Sequence, residues 1–301
     1  MRQADGTSVA AAELAVASRY GFDSWAGLVR EVERREILDA GDVARLEALL
    51  AEEPALARTT MEHWCDHPRG SSPLGYVAMR RYDTSRKEWR DVTGTAEVAR
   101  VLLAAGAPVD GEPGERETPL ITAASYGDAA VALVLIEAGA ELEARAADDA
   151  GGVPGGTALL HAAVFGMTDV VDVLVAAGAR VESVEVAAAA GDIRGWLDDA
   201  PADARLRALV MAADHERLHV IDELVESGTA IDGTDPVFGG HPLRTAASNG
   251  RAASVRHLLG LGAEPKLRDA QDRSALELAR GGTTPGHREV VEVLAPLAGA
   301  E

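Results

Sequence analysis

Between Thr157 and Ser183 the apolar positions fall into two short helical sets divided by a glycine. In TALLHAAVFGMTDVVDVLVAAGARVES, Leu159, Leu160, Ala162 and Ala163 form one face of a first helix. Thr157 is placed to cap that helix, because its side-chain oxygen can accept from a free backbone N–H, and Gly166 ends it. Val170, Val171, Val173, Leu174 and Val175 then recur at helical spacing behind Thr168 or Asp169 as cap, and Gly178 supplies a left-handed stop. Such a pair cannot bury its apolar side alone, so neighbouring copies must stack on it to make a core.

The pattern recurs along most of the 301 residues. Val9 to Tyr20 reads as an Ala-rich helix, Gly21-Phe22-Asp23 as a turn, and Ser24 to Glu33 as a second helix capped by Asp23 or Ser24. Helix pairs follow from Glu36, where EILDAGDVARLEALLAEEP breaks at Gly41-Asp42 and stops before Pro54. The second pair opens at Ser72-Pro-Leu74 and resumes at Gly94, with an insertion from Arg80 to Thr93 lengthening its link. Further pairs start at Thr118, Thr157, Val184, Leu206 and His241, and Ser274 to Leu297 closes the array. The reading is all-α, with about eight helix pairs, a cap over residues 1–35 and one continuous array over 36–301.

The helix-terminating glycines Gly106, Gly139, Gly178, Gly228 and Gly262 lie 33, 39, 50 and 34 residues apart. The 39 contains an enlarged loop, ARAADDAGGVPGG over 144–156. The 50 contains two repeats of 25, since Ala162-Ala163, Ala187-Ala188 and Ala212-Ala213 keep that spacing. Two such short repeats leave no room for the hairpin fingers that space a stack, which predicts a bend between Ser183 and Arg205. A 33-residue period with Thr-Pro-Leu openings and Gly-Ala closings resembles the ankyrin-repeat family, over about residues 36–297. The segment Ser18 to Trp25 resembles a leader found ahead of bacterial ankyrin arrays. There Tyr20, Phe22 and Trp25 would cover the open end of the solenoid.

Charge and composition narrow the partners. A net charge of −20 argues against nucleic acid and anionic membrane surfaces, since phosphate binding needs clustered Lys and Arg. One cysteine, Cys65, excludes an internal disulfide and agrees with a reducing, cytoplasmic setting. No apolar run reaches the roughly 18–20 residues of a membrane span, and no cofactor motif is present. His63-Trp64-Cys65-Asp66-His67 holds zinc-ligand types, with His63, Cys65 and His67 as candidates, but no second ligand group follows at a recognised interval. Asp214-His215 with His219 could form an acid–base pair, yet the repeat register assigns His215 and His219 to different helices.

The ankyrin resemblance implies that a protein or peptide partner is held on the concave side, by finger residues and by the two residues after each Ala-Ala pair. Here these are Met79 and Arg80, Ser125 and Tyr126, Val164 and Phe165, Ala189 and Ala190, Asp214 and His215, and Ser248 and Asn249. Finger and insertion positions add Trp64, Arg69, Tyr82, Trp89, Glu115, Glu117 and Phe238. Tyr126 and Phe165 are expected to share one apolar floor. The alternative is a scaffold adapted to hold a small molecule or to act as an enzyme, through a pocket of the 63–93 region with Tyr126 and Phe165.

Overall fold

The computed structural model describes residues 9–61, 71–83, 86, 88–236 and 239–298. Contacts divide the chain into two compact units, Met1–Ala158 and Leu159–Glu301. In the first, α1 (Val9–Arg19) leads into α2 (Trp25–Ala40), whose start is set by Ser24 Oγ accepting from the Gly27 N–H at 3.1 Å. No Gly or Pro interrupts 28–40, so α2 runs on until Gly41 turns left-handed at φ 66°. The expected second cap helix and the expected first repeat helix are therefore one element.

Of the aromatic lid expected at this end only Phe22 is half-buried; Tyr20 and Trp25 are 49% and 41% exposed. Closure comes instead from Ala17, Ile37 and Leu38 and from a buried ion pair. Arg34 donates to Glu31 at 2.8 Å and to the carbonyls of Leu56 and Thr59 at 2.9 and 2.8 Å, which ties α2 to the turn after α3 (Val43–Glu52). Removing one member of such a pair would strand a charge in low dielectric.

The next two pairs are α4 (Pro73–Ala78) with α5 (Thr95–Ala104), and α6 (Pro119–Tyr126) with α7 (Ala129–Glu137). Ser72 and Thr118 cap the inner helices, and Pro73 and Pro119 sit at the first turn, where a missing N–H costs nothing. α4 packs on α6 and α5 on α7. The contact surfaces are Leu74, Val77, Ala78, Leu120, Ile121, Ala123, Ala124, Val131 and Leu135, all fully buried. Each such Leu, Ile or Val stabilises the stack by about 1.5–3 kcal/mol, and the alanines let the helices approach. Within the Arg80–Thr93 insertion, β1 (Tyr82–Asp83) pairs antiparallel with β2 (Glu88–Trp89), setting Tyr82 opposite Trp89.

The second unit takes up α8 (Ala158–Val164) from Leu159 and continues through α9 (Thr168–Ala176) and α10 (Val184–Ala190). It ends with α11 (Ala202–Asp214), α12 (Leu218–Glu226), α13 (Pro242–Ser248), α14 (Ala252–Gly260), α15 (Ala275–Arg280) and α16 (Pro285–Leu294). Neither expected cap opens α9: Met167 stands at the cap position and makes no side-chain cap bond, and Thr168 is the first helical residue. The fifth pair is half a pair. Residues 194–199 form turns, because Asp192 accepts from the Arg194 N–H at 3.0 Å and Gly195 sits at φ 80°. Ile193, buried to 1%, packs into the core there, with Trp196 and Leu197 against it. α11 starts at Ala202, earlier than the expected Leu206, and packs along α10. Among the described residues the array holds seven complete pairs and this half pair.

The turn after α8 also meets the turn before α14, where Arg251 donates to the Gly166 carbonyl at 2.5 Å across 85 residues of chain. That close approach lies on either side of the shortened repeats, where the spacing predicts a bend.

Candidate functional site

All six inner-helix end positions lie among the described residues, and their exposure differs sharply. Met79 and Arg80, after α4, are buried, at 2% and 6% exposure. The Arg80 guanidinium donates to the Asp39 carbonyl, and the Tyr76 hydroxyl donates to the Asp39 carboxylate. Burial lowers the proton affinity of Arg80 and raises that of Tyr76. Arg81 donates to the Gly127 carbonyl and so clips the insertion onto the end of α6.

That clip brings the β1–β2 hairpin against Tyr126. Ring centroids of Tyr82 and Trp89 lie 5.2 Å apart edge to face, Tyr82 and Tyr126 6.0 Å, and Trp89 and Tyr126 6.4 Å. Tyr82 and Tyr126 are half-buried, while Trp89 is 57% exposed. The rings hold one another in place and leave one large apolar surface in solvent.

Beside Tyr126 is a cleft of about 250 Å³ that Met79, Thr122, Glu115 and Glu117 also line. Most of its charges are already matched. Arg58 donates to Glu112 at 2.8 Å and Arg116 to Asp149 at 2.8 Å. The Glu115 carboxylate accepts from the Glu112 N–H at 2.9 Å and from Ser72 Oγ at 3.2 Å, and burial still lifts its proton affinity. Glu117 has no hydrogen-bond or ion-pair partner among the described residues, and burial alone lifts its carboxyl above the ordinary range. The cleft takes one glycine of the 144–156 loop, Gly151, and no described residue of the insertion.

In the second unit Phe165 is 38% exposed, its ring edge-on to buried His161 at 6.0 Å. Asp214 and His215 are interior, at 5% and 1% exposure. Asp214 accepts from Asn249 at 2.8 Å and from Arg251 at 3.2 Å. His215 Nε2 lies 2.8 Å from the Ala163 carbonyl and must donate to it, so Nδ1 accepts from the Thr168 hydroxyl at 3.0 Å. Burial depresses the His215 pKa, in keeping with this neutral tautomer. Both ring nitrogens are thus engaged inside the unit. Separately, His219 reaches the Gly191 carbonyl at 2.8 Å, so the suspected acid–base pair is three unrelated structural contacts. Asn249 remains exposed.

Sequence reasoning missed His241 as a working group. It caps α13 by accepting from the Arg244 N–H, and burial lowers its pKa to about 4. A histidine where other repeats carry Ser or Thr was the available signal. Trp64, Arg69, Phe238 and the His63, Cys65 and His67 candidates lie outside the described residues. Among the described residues, no group of three or more His, Cys, Asp or Glu is placed to hold a metal, and no helix is long and apolar enough to cross a membrane.

Residues 91–185, from the link before α5 into α10, match the family model for ankyrin repeats in three copies. Those residues carry ankyrin repeats. The all-α repeat architecture agrees with that match, and ankyrin repeats in general mediate protein–protein interaction. The crystal structure of the human ASB11 ankyrin repeat domain is similar over 76% of this chain and 99% of its own, at 24% identity and a TM-score of 0.36. Among curated proteins none matches the sequence.

Proposed function

We propose that this ankyrin-repeat chain is a protein-interaction module that holds a peptide or protein partner on its inner-helix side, with Trp89, Tyr82 and Tyr126 as the anchor of the first unit. The observation that carries the reading is the mutually packed trio with Trp89 more than half exposed. Aromatic rings already fixed by their neighbours lose little conformational entropy on binding, and such residues dominate interface energies. Phe165 is the corresponding exposed ring of the second unit, and Asn249 is a polar rim position there. Arg80, Asp214 and His215 support these surfaces from within instead of touching the partner. The small-molecule alternative has less in its favour, because the cleft beside Tyr126, at about 250 Å³, is smaller than the roughly 300–1,000 Å³ of ordinary ligand sites.

Selecting binders from a random peptide display with the whole chain, then measuring the selected peptides against variants, tests this. Trp89→Ala and Tyr126→Ala should each weaken binding by about 2 kcal/mol or more. Glu137→Ala, on the exposed face of α7, should leave it unchanged. If Glu137→Ala weakens binding more than the two aromatic changes, while all variants melt cooperatively, the assignment fails.

A further inference from the structure

We propose that the cleft beside Tyr126 receives the guanidinium of an arginine in a basic segment of the partner, paired with Glu117 and stacked on the Tyr126 ring. The proposal rests on the interaction reading above and adds the chemistry of what is bound. It follows from what is already matched in the cleft and what is left over. Arg116 and Arg58, the two cations at hand, pair with Asp149 and Glu112. Glu115 is satisfied by Ser72 and the Glu112 backbone. Glu117 alone lines the cleft half-buried and without a partner among the described residues. A carboxylate withdrawn from water without a counter-charge is unfavourable, and burial accordingly lifts its proton affinity. An incoming cation would relieve that cost in the bound state.

Shape and stacking select arginine over other cations. The cleft is of side-chain size, and Tyr126 faces it on one side while Tyr82 and Trp89 pack on its ring from elsewhere. The ring is therefore held ready for a planar group. A guanidinium can stack on an aromatic face and fork a carboxylate at the same time, whereas an ammonium offers a point charge. Thr122 adds a hydroxyl to the same lining. The net charge of −20 would also steer a basic segment toward the chain at low salt.

The test uses the whole chain with three probes, Nα-acetyl-arginine methylamide and its lysine and citrulline counterparts, followed by the ring signals of labelled tyrosines. Arginine should shift Tyr126 saturably, citrulline should bind roughly tenfold more weakly for want of the charge-assisted pair, and lysine should fall between. Glu117→Gln should abolish the preference for arginine over citrulline, while Glu112→Gln should keep it. Equal binding of arginine and citrulline, or a preference that survives Glu117→Gln, overturns the proposal. The two readings fail separately. Displayed peptides that lack basic residues, lose binding with Trp89→Ala and ignore Glu117→Gln would leave the interaction module standing without the arginine site. Arginine binding that needs Glu117, with displayed peptides indifferent to Trp89→Ala, would do the reverse.

Discussion

The ends of α6 and α11 occupy the same place in the repeat and have become opposites. After α6, Tyr126 is half-exposed over a cleft with an unmatched carboxylate, and the hairpin leaning on it presents Trp89 to solvent. After α11, Asp214 and His215 are buried and bonded to Asn249, Arg251, Ala163 and Thr168. The difference comes from what surrounds each position. A fourteen-residue insertion adds a wall beside Tyr126, whereas the fifth repeat lacks its outer helix and lets the turns after α8, α11 and α13 converge. A register position is thus a place, and its role is set by the spacing of its neighbours.

The sharpest way to break the comparison is Asp214→Ala. It strands Arg251 and Asn249 together, and should cost about 3 kcal/mol in the second unit, the low end for a broken buried pair because Arg251 is partly exposed. Urea unfolding followed by a variant retaining Trp196 as sole tryptophan should show it. An unchanged midpoint would mean the network contributes little.

Acid should separate the units next. His241 titrates near 4 in the fold and His215 is also lowered, against 6.5 when unfolded. The unfolded state therefore takes protons first, so stability is full above pH 6.5 and falls toward pH 4, by on the order of 3 kcal/mol for His241. Glu115 and Glu117 are raised, so their contribution has the opposite sign: it is complete below about 4.5 and declines as pH rises through their folded values. Urea midpoints at pH 7, 6 and 5 should fall for Trp196 more than for Trp89. Parallel decline would refute the assignment.

A smaller effect is expected at the turn glycines. An added Cβ at Gly166, at φ 69°, would meet Asp214 Oδ2 at 2.8 Å and Arg251 Nη2 at 2.9 Å, whereas at Gly139, at φ 89°, it meets nothing within 4 Å. Gly166→Ala should cost about 2 kcal/mol and Gly139→Ala about 1 kcal/mol, the latter from backbone strain alone. Equal thermal shifts would show the Gly166 side of the network to be loose. The smallest stability change is Trp89→Ala, under about 1 kcal/mol because the ring is largely solvent-facing, with its main effect reserved for partner affinity.

Much of this was written locally. Gly166, Gly178 and the Thr-Pro-Leu openings end and begin helices through φ > 0 and capping oxygens, which act within four residues, so the periodicity showed the helix pairs, the likeness to ankyrin repeats and the place of the insertion. The caps were less secure: α9 opens without either expected oxygen, since Met167 holds the cap position and the Thr168 hydroxyl bonds His215 from another repeat. α2 ran through the expected boundary at Arg35, and the fifth repeat lost a helix to Asp192 and Gly195.

The residue types at the inner-helix ends were likewise visible, but their fates were not. Tertiary structure decided that Met79 and Arg80 are buried, that Asp214 and His215 face inward, and that Glu117 is left without a partner among the described residues beside Tyr126. Capping and periodicity depend on neighbours along the chain, which a sequence displays directly. Burial and charge pairing depend on neighbours brought together across 30 to 85 residues, such as Arg116 with Asp149 and Arg251 with Gly166, and these exist only once the repeats have stacked.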